Sequence, residues 1–142
     1  MQANGIEFWG KRVVVRSPNW LGDAVMVLPA VRRLREVMPG RGDLVVLAPE
    51  GLRGLWEKVE GVTRTIPVDA NVWITGRTVR EVEATGAVIF PNSPRTALEV
   101  WLGGVPFRAG FGAGWRDGIL TRVVKREPMV VPRHQAEDYL RL

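Results

Sequence analysis

Residues Val13–Met26 have the sequence VVVRSPNWLGDAVM, in which an apolar run stops at a polar turn and then continues with helical spacing. The three valines predict a buried strand, and the apolar residues that follow Asp23 recur at intervals of three and four, as on one face of an α-helix. In an open α/β sheet, ligands bind in the crevice outside the carboxyl ends of the strands. Asp23, at the first strand-to-helix turn, is therefore predicted to face a ligand rather than the core.

The rest of the chain repeats this alternation of strand and helix. Further strands are predicted at Leu44–Ala48, Thr63–Val68, Ala87–Phe90, Phe107–Phe111 and Leu120–Val124. Helices are predicted at Asp23–Met38, at a short segment through Leu55 and Val59, at Ile74–Ala84, and from Pro94 to Leu102 with Ser93 as the cap. Pro29 removes one helical donor, so a kink or an irregular first turn is expected there. The pattern predicts an α/β protein with one doubly wound, mainly parallel Rossmann-like domain.

Composition excludes several classes of protein. The 142 residues suffice for one domain with a real core, and the apolar runs are too short to cross a membrane. The absence of cysteine excludes disulfides, thiolate metal sites and a cysteine nucleophile. The only histidine, His134, cannot form a histidine-rich metal site, and its neighbours Glu137, Asp138 and Tyr139 indicate a solvated helical face. No secretory signal pattern follows Met1, which makes a cytoplasmic location the expectation.

Two loops contain the candidate catalytic and ligand-binding residues. Gly22 allows close approach of the backbone to a ligand, and Asp23 is suited to accept a proton from an attacking hydroxyl, although a carboxylate there also serves as a plain helix cap. The turn Asn92–Arg95 brings an amide, a hydroxyl, a helix start and a guanidinium to the same sheet edge. Such a turn is suited to an anion, although Asn92 and Ser93 are also ordinary turn and cap residues.

The segment Arg108–Arg116 contains several glycines but does not match a dinucleotide loop. From Gly110 or Gly112, the third glycine of the G-x-G-x-x-G spacing falls on Trp115 or Asp117. We expect this segment to be a mobile loop with an aromatic side chain and the two arginines, Arg108 and Arg116, at its rim, and we expect Gly112–Gly118 to be flexible.

Two segments resemble the motifs of the ADP-heptose:lipopolysaccharide heptosyltransferases of glycosyltransferase family 9. The first is PNWLGDAVM at Pro18–Met26, and its Asn-Trp-Leu-Gly-Asp form is most similar to the heptosyltransferase II branch. The second is FPNSPRTAL at Phe90–Leu98, followed by WLGGVP at Trp101–Pro106 and by the Gly110-Phe111 turn. Two motifs in this order are more specific than either one alone, and the resemblance extends over nearly the whole chain.

The resemblance implies the amino-terminal half of a two-domain GT-B glycosyltransferase. Residues 1–133 would form a Rossmann-like acceptor-side domain, and residues 134–142 would begin a linker helix to a missing carboxy-terminal domain that binds the donor. Asp23 would be the general base in an inverting transfer of heptose from ADP-heptose to the inner core of lipopolysaccharide. The resemblance implies no metal and no cofactor besides the donor substrate.

The same resemblance suggests which residues meet the acceptor and which partners the chain has. The acceptor side would be lined by Asn19, Trp20, Gly22, Asn92, Ser93 and Arg95. The implied partners are a lipid-anchored anionic sugar acceptor, a nucleotide sugar held by the missing domain, and the cytoplasmic face of the inner membrane, touched peripherally. The chain alone is expected to fold without transferring heptose.

Two other classes of protein stay open from the residues themselves. A stand-alone flavodoxin-like module that binds an anionic ligand would explain the strand and helix alternation, but Ser17–Asp23 has too few glycines and hydroxyls for its phosphate loop. A basic nucleic-acid-binding protein would explain the net charge of +5. Its arginines and tryptophans would be gathered on one face, whereas those of this chain are scattered, so no nucleic-acid partner is expected.

Overall fold

Six strands and the helices between them account for most of the described residues. The computed structural model describes residues 12–38, 40, 42–125, 140 and 142. The strands are β1 Arg12–Arg16, β2 Asp43–Ala48, β3 Arg64–Pro67, β4 Gly86–Ile89, β5 Phe107–Phe111 and β6 Arg122–Val124. The α-helices are α1 Leu21–Val37, α2 Arg53–Glu57, α3 Val72–Val82 and α4 Pro94–Leu102, and 3₁₀ turns occupy Glu50–Leu52 and Gly114–Gly118.

All six strands are parallel and lie in the order β3-β2-β1-β4-β5-β6. The chain first builds outward from β1 through β2 to β3, and then returns to place β4 on the other side of β1. The direction of winding therefore reverses between β1 and β4, and such a reversal opens a crevice at the carboxyl ends of the two strands. The predicted doubly wound Rossmann-like fold is confirmed.

Apolar layers cover both faces of the sheet, because alternate residues of a strand point to opposite sides. One core contains Val13 and Val15 of β1 and is covered by α1 and by Trp56 of α2. The other contains Val14 of β1 and is covered by α3 and α4. The central strands are buried on both faces, which is why their sequences are almost continuously apolar.

The helix α1 runs without interruption through Pro29. The expected irregular first turn is wrong, since Ala24 N donates to Trp20 O at 2.9 Å, whereas the expected kink at Pro29 stays a prediction. Pro29 lies on the exposed side of the helix. It cannot donate the helical hydrogen bond to the carbonyl of Val25, and Val25 is 48% exposed. Water can satisfy that carbonyl, so the missing donor does not end the helix.

Close approach of α3 and α4 depends on two glycines. A Cβ built on Gly76 would lie 2.6 Å from Leu102 Cβ, and one built on Gly103 would lie 2.7 Å from Val79 Cβ. Both distances are far below van der Waals contact, so only glycine fits at either position. At each of these positions, the backbone of one helix therefore packs directly against a side chain of the other.

The loop after β5 differs from the expected one. The segment over residues 112–118 contains a 3₁₀ turn in which Arg116 is fully buried, so the expectation that both arginines lie at the loop rim is wrong. The expected mobility of this loop stays a prediction. His134 and its neighbours, together with nearly all of the expected linker segment 134–142, lie outside the described residues. No helix within the described ranges is long and apolar enough to span a bilayer.

Candidate functional site

The two loops singled out in the sequence leave the same edge of the sheet side by side. β1 and β4 are hydrogen-bonded neighbours in which Arg16 is in register with Ile89. The pairing continues beyond the strands, since Phe90 N donates to Arg16 O at 3.3 Å. The loop from Ser17 to Trp20 and the loop from Pro91 to Ser93 therefore flank the crevice where the winding of the sheet reverses.

Asp23 lies in the first turn of α1, which begins at Leu21, two residues earlier than expected. Trp20 occupies the N-cap position in extended conformation, and its side chain makes no capping hydrogen bond. The Asp23 carboxylate is partly exposed, and among the described residues no hydrogen bond or ion pair engages it. Asp23 therefore does not act as a hydrogen-bonding cap, and its carboxylate is open to a ligand.

Trp20 and Gly22 leave the mouth of the crevice open. The Trp20 side chain is 75% exposed. A Cβ added to Gly22 would meet no protein atom within 4 Å, so the space above this backbone is empty of protein. The local geometry is compatible with the close approach of a ligand to Gly22.

A buried ion pair joins the two loops. Arg16 Nε lies 2.7 Å from Glu99 Oε2, and the two side chains are 2% and 0% exposed. Arg16 Nη1 also donates to Ser17 O at 2.6 Å and to Asn19 Oδ1 at 3.1 Å. Arg16 on β1 thereby holds Asn19 of the first loop, while its partner Glu99 belongs to the helix that follows the second loop.

Arg95 shares the same carboxylate from the solvent side. Its Nε lies 3.2 Å from Glu99 Oε1, and its Nη2 donates to Asp69 O at 2.6 Å. Glu99 therefore lies between one buried and one half-exposed arginine. Arg95 remains at the site mouth, but two of its nitrogens are already engaged by the protein.

The turn before α4 is organised as the sequence predicts. Pro94 is the first residue of the helix, and Ser93 Oγ accepts a hydrogen bond from Thr96 N at 3.3 Å, which confirms Ser93 as the N-cap. Asn92 is exposed within the loop. The loop that contains Asn92 and the start of α4 lie at the same edge of the sheet as the Asp23 loop.

A second buried arginine supports this turn from below. Arg116 is fully buried, and its Nη1 donates to Pro91 O at 2.7 Å and to Ser93 O at 2.9 Å. Burial lowers the pKa of the Arg116 guanidinium, and the charge of Asp117 offsets part of that shift.

Sequence reasoning missed these buried charges. Glu99 did carry a signal, because it falls on the apolar face of α4 between Ala97 and Val100, where a carboxylate needs a cationic partner. Ser17 gave none, yet its hydroxyl accepts from the buried Trp56 Nε1 at 2.9 Å and donates to Pro18 O at 2.8 Å.

The described part of the chain contains no group of three or more histidine, aspartate or glutamate side chains placed to hold a metal ion.

The fold of this chain is also found in a solved glycosyltransferase family 9 structure. The glycosyl transferase family 9 protein of Veillonella parvula has a TM-score of 0.78 at 21% identity, covering 94% of this chain and 40% of its own, which shows the fold alone. No family model matches the sequence.

The curated relatives that the chain matches are heptosyltransferases. Lipopolysaccharide heptosyltransferase 2 of Escherichia coli K12 is 29% identical over 140 residues, and that of Salmonella typhimurium LT2 is 28% identical. The solved structure of the E. coli ADP-heptose lipopolysaccharide heptosyltransferase II has a TM-score of 0.81 at 28% identity. The chain spans about 40% of the length of these curated relatives. The resemblance to the heptosyltransferases of glycosyltransferase family 9 is confirmed.

Proposed function

We propose that this chain is the acceptor-side domain of an inverting heptosyltransferase that moves heptose from ADP-heptose to the inner core of lipopolysaccharide. The observation that carries the proposal is the position of Asp23, a partly exposed carboxylate without a protein partner among the described residues, at the crevice between β1 and β4. The similarity to heptosyltransferase II supplies the reaction.

The proposed chemistry requires one base from this domain. An acceptor hydroxyl loses its proton to the Asp23 carboxylate while its oxygen forms a bond to the anomeric carbon of the heptose. The bond from that carbon to the diphosphate oxygen breaks on the opposite face, and its electron pair leaves with ADP. The configuration at the anomeric carbon is inverted. We propose that the reaction needs no metal, and that groups outside this chain stabilise the departing diphosphate.

The acceptor is proposed to lie between the two loops. Trp20 offers an exposed ring and Gly22 an unobstructed backbone, while Asn19 and Asn92 offer amides. Ser93 and the helix start behind it, with the half-exposed Arg95, suit a phosphate or carboxylate of the acceptor. This arrangement fits a lipid-anchored anionic sugar, reached by peripheral contact with the cytoplasmic face of the inner membrane.

The base is tested in a chimera in which this chain replaces the corresponding part of E. coli heptosyltransferase II. The acceptor is lipopolysaccharide from a strain that lacks heptosyltransferase II, and the donor is ADP-heptose. In Asp23→Asn, turnover falls by about a hundredfold or more, the usual contribution of a general base, while the acceptor KM and the melting temperature change little. Asp43→Asn, which alters a partly exposed carboxylate at the amino edge of the sheet, leaves turnover intact.

Two results contradict the proposal. Unchanged turnover in a folded Asp23→Asn chimera would remove Asp23 from the chemistry. A folded chimera of unaltered sequence that transfers no heptose would contradict the assignment of this chain to heptosyl transfer. The 142 residues by themselves are expected to transfer none, and transfer by the purified chain would refute that part.

A further inference from the structure

Arg116 is a fully buried side chain that supports the second loop from the interior of the described domain, together with the buried hydroxyl of Thr96, which donates to Ser93 O at 2.8 Å. Its Nη1 lies within hydrogen-bond distance of two carbonyl oxygens, those of Pro91 and Ser93. These two residues flank Asn92, which is exposed at the site mouth. A single nitrogen therefore fixes the backbone on both sides of a proposed acceptor contact.

Burial of the Arg116 guanidinium carries an unfavourable free energy of desolvation. No carboxylate among the described residues lies within ion-pair distance of it, and its Nε and Nη2 are buried without a hydrogen-bond partner in that part of the chain. Arg16, by contrast, has Glu99 as a counterion. Buried polar groups are nearly always paired, and apolar residues of similar volume often replace buried charges without loss of stability. Packing alone therefore gives no reason for a guanidinium at this position.

The neighbouring strand is shaped to admit the guanidinium. A Cβ added to Gly110 of β5 would lie 2.7 Å from Arg116 Nη2 and 3.3 Å from Ile89 O. The glycine thus leaves space for the side chain beside the sheet. Among the described residues, the hydrogen-bond partners of the Arg116 guanidinium all belong to the loop and the first turn of α4: Pro91 O, Ser93 O and, at 3.5 Å, Thr96 Oγ1.

We propose that Arg116 is a positioning residue for the acceptor site, which holds the loop Pro91–Ser93 so that Asn92 and Ser93 face the acceptor. The proposal rests on the function proposed above. It assigns a role to a side chain that itself stays out of contact with the substrate, since all of it is buried.

The test compares Arg116→Met and Arg116→Lys with a matched control, Arg108→Met. Arg108 performs the same chemistry at the other end of β5, where its Nε donates to Ile119 O at 2.7 Å and its Nη1 to Val105 O at 2.6 Å. Burial lowers the pKa of the Arg108 guanidinium as well. Both methionine variants lose carbonyl contacts, but only one of them loses contacts to the candidate site.

Two measurements on the purified chain separate positioning from general stability. The first is the ¹⁵N order parameter of the Asn92 and Ser93 amides. The second is the affinity for lipopolysaccharide from a strain that lacks heptosyltransferase II. Arg116→Met is expected to lower the order parameters from about 0.85 towards 0.6. It is also expected to weaken binding by about tenfold to a hundredfold, the effect of displacing a positioned contact.

The outcomes are distinct. Arg116→Lys, which keeps a charged donor, retains part of the affinity, and Arg108→Met destabilises the chain without affecting either measurement. Equal effects of Arg116→Met and Arg108→Met, or an unchanged loop and affinity in folded Arg116→Met, would overturn the proposal. If Arg116→Met does not fold, a partial loss of affinity with lowered order parameters in Arg116→Lys would support it, and a loss equal to that of Arg108→Met would overturn it. A chain of unaltered sequence that binds no acceptor would contradict the proposed function, and the order parameters would still decide whether Arg116 holds the loop.

Discussion

The buried pair between Arg16 and Glu99 gives a quantitative prediction. Replacement of Glu99 by Leu removes the only carboxylate within 4 Å of Arg16 among the described residues and leaves a cation that is 2% exposed. Loss of one partner of a buried pair costs about 3–5 kcal/mol, because the remaining charge stays desolvated. The accompanying contact of Glu99 with the half-exposed Arg95 adds about 0.5 kcal/mol or less.

The double replacement Arg16→Met with Glu99→Leu is expected to restore most of this loss, since apolar side chains then fill the space of both charges. The coupling energy of the pair is therefore about 3 kcal/mol or more. The control is the pair Arg33–Glu36, with a similar separation of 2.9 Å but side chains 68% and 64% exposed. Its coupling energy is expected to be about 0.2–1 kcal/mol.

Urea unfolding followed by circular dichroism measures each corner of the two cycles. The loss expected for Glu99→Leu is a large part of the roughly 5–15 kcal/mol that stabilises a typical domain. Should that variant fail to fold, Glu99→Gln keeps the shape and gives a smaller loss in the same direction. Equal coupling energies for the buried and exposed pairs, or a double variant as unstable as the sum of the single ones, would refute the reasoning.

The remaining predictions concern the packing and capping of the helices near the site. Gly103→Ala places a Cβ against Val79 and is expected to lower the free energy of unfolding, measured in urea, by about 1–3 kcal/mol. In the control Gly54→Ala, the added Cβ meets no atom within 4 Å, and the free energy of unfolding is expected to rise by up to about 1 kcal/mol. Ser93→Ala removes the cap of α4 and is expected to lower it by about 0.5–2 kcal/mol, and an unchanged urea midpoint would show that the hydrogen bond to Thr96 contributes nothing.

The parts of the fold that the sequence predicts are those set by local chemistry. The valines of β1, the helical spacing after Asp23 and the Ser93-Pro94 start of α4 each depend on neighbouring residues, and each appears at or near its predicted place. The start of α1 moved to Leu21 because its N-cap is Trp20, which lacks the side-chain oxygen that marks a helix start in a sequence.

The parts that the sequence does not predict depend on distant partners. Arg16 and Glu99 are 83 positions apart, and Arg116 meets Pro91 from 25 positions away. Arginine is rarely fully buried, so a glycine-rich segment with Arg116 in it resembles a solvated loop until its partners are known. The roles proposed for Asp23 and the acceptor residues stay predictions that the experiments above address.

The glycine contacts between α3 and α4 have a consequence for how the site can change. Because no space separates the two helices at Gly76 and Gly103, neither can shift along the other without a steric clash. The loop that contains Asp69 and the start of α4 are tied further by Arg95. These contacts oppose sliding of α3 along α4. If the proposed acceptor site lies here, we expect its preference to change through substitutions of exposed side chains, such as Trp73 in the first turn of α3, which is 68% exposed, rather than through movement of the helices.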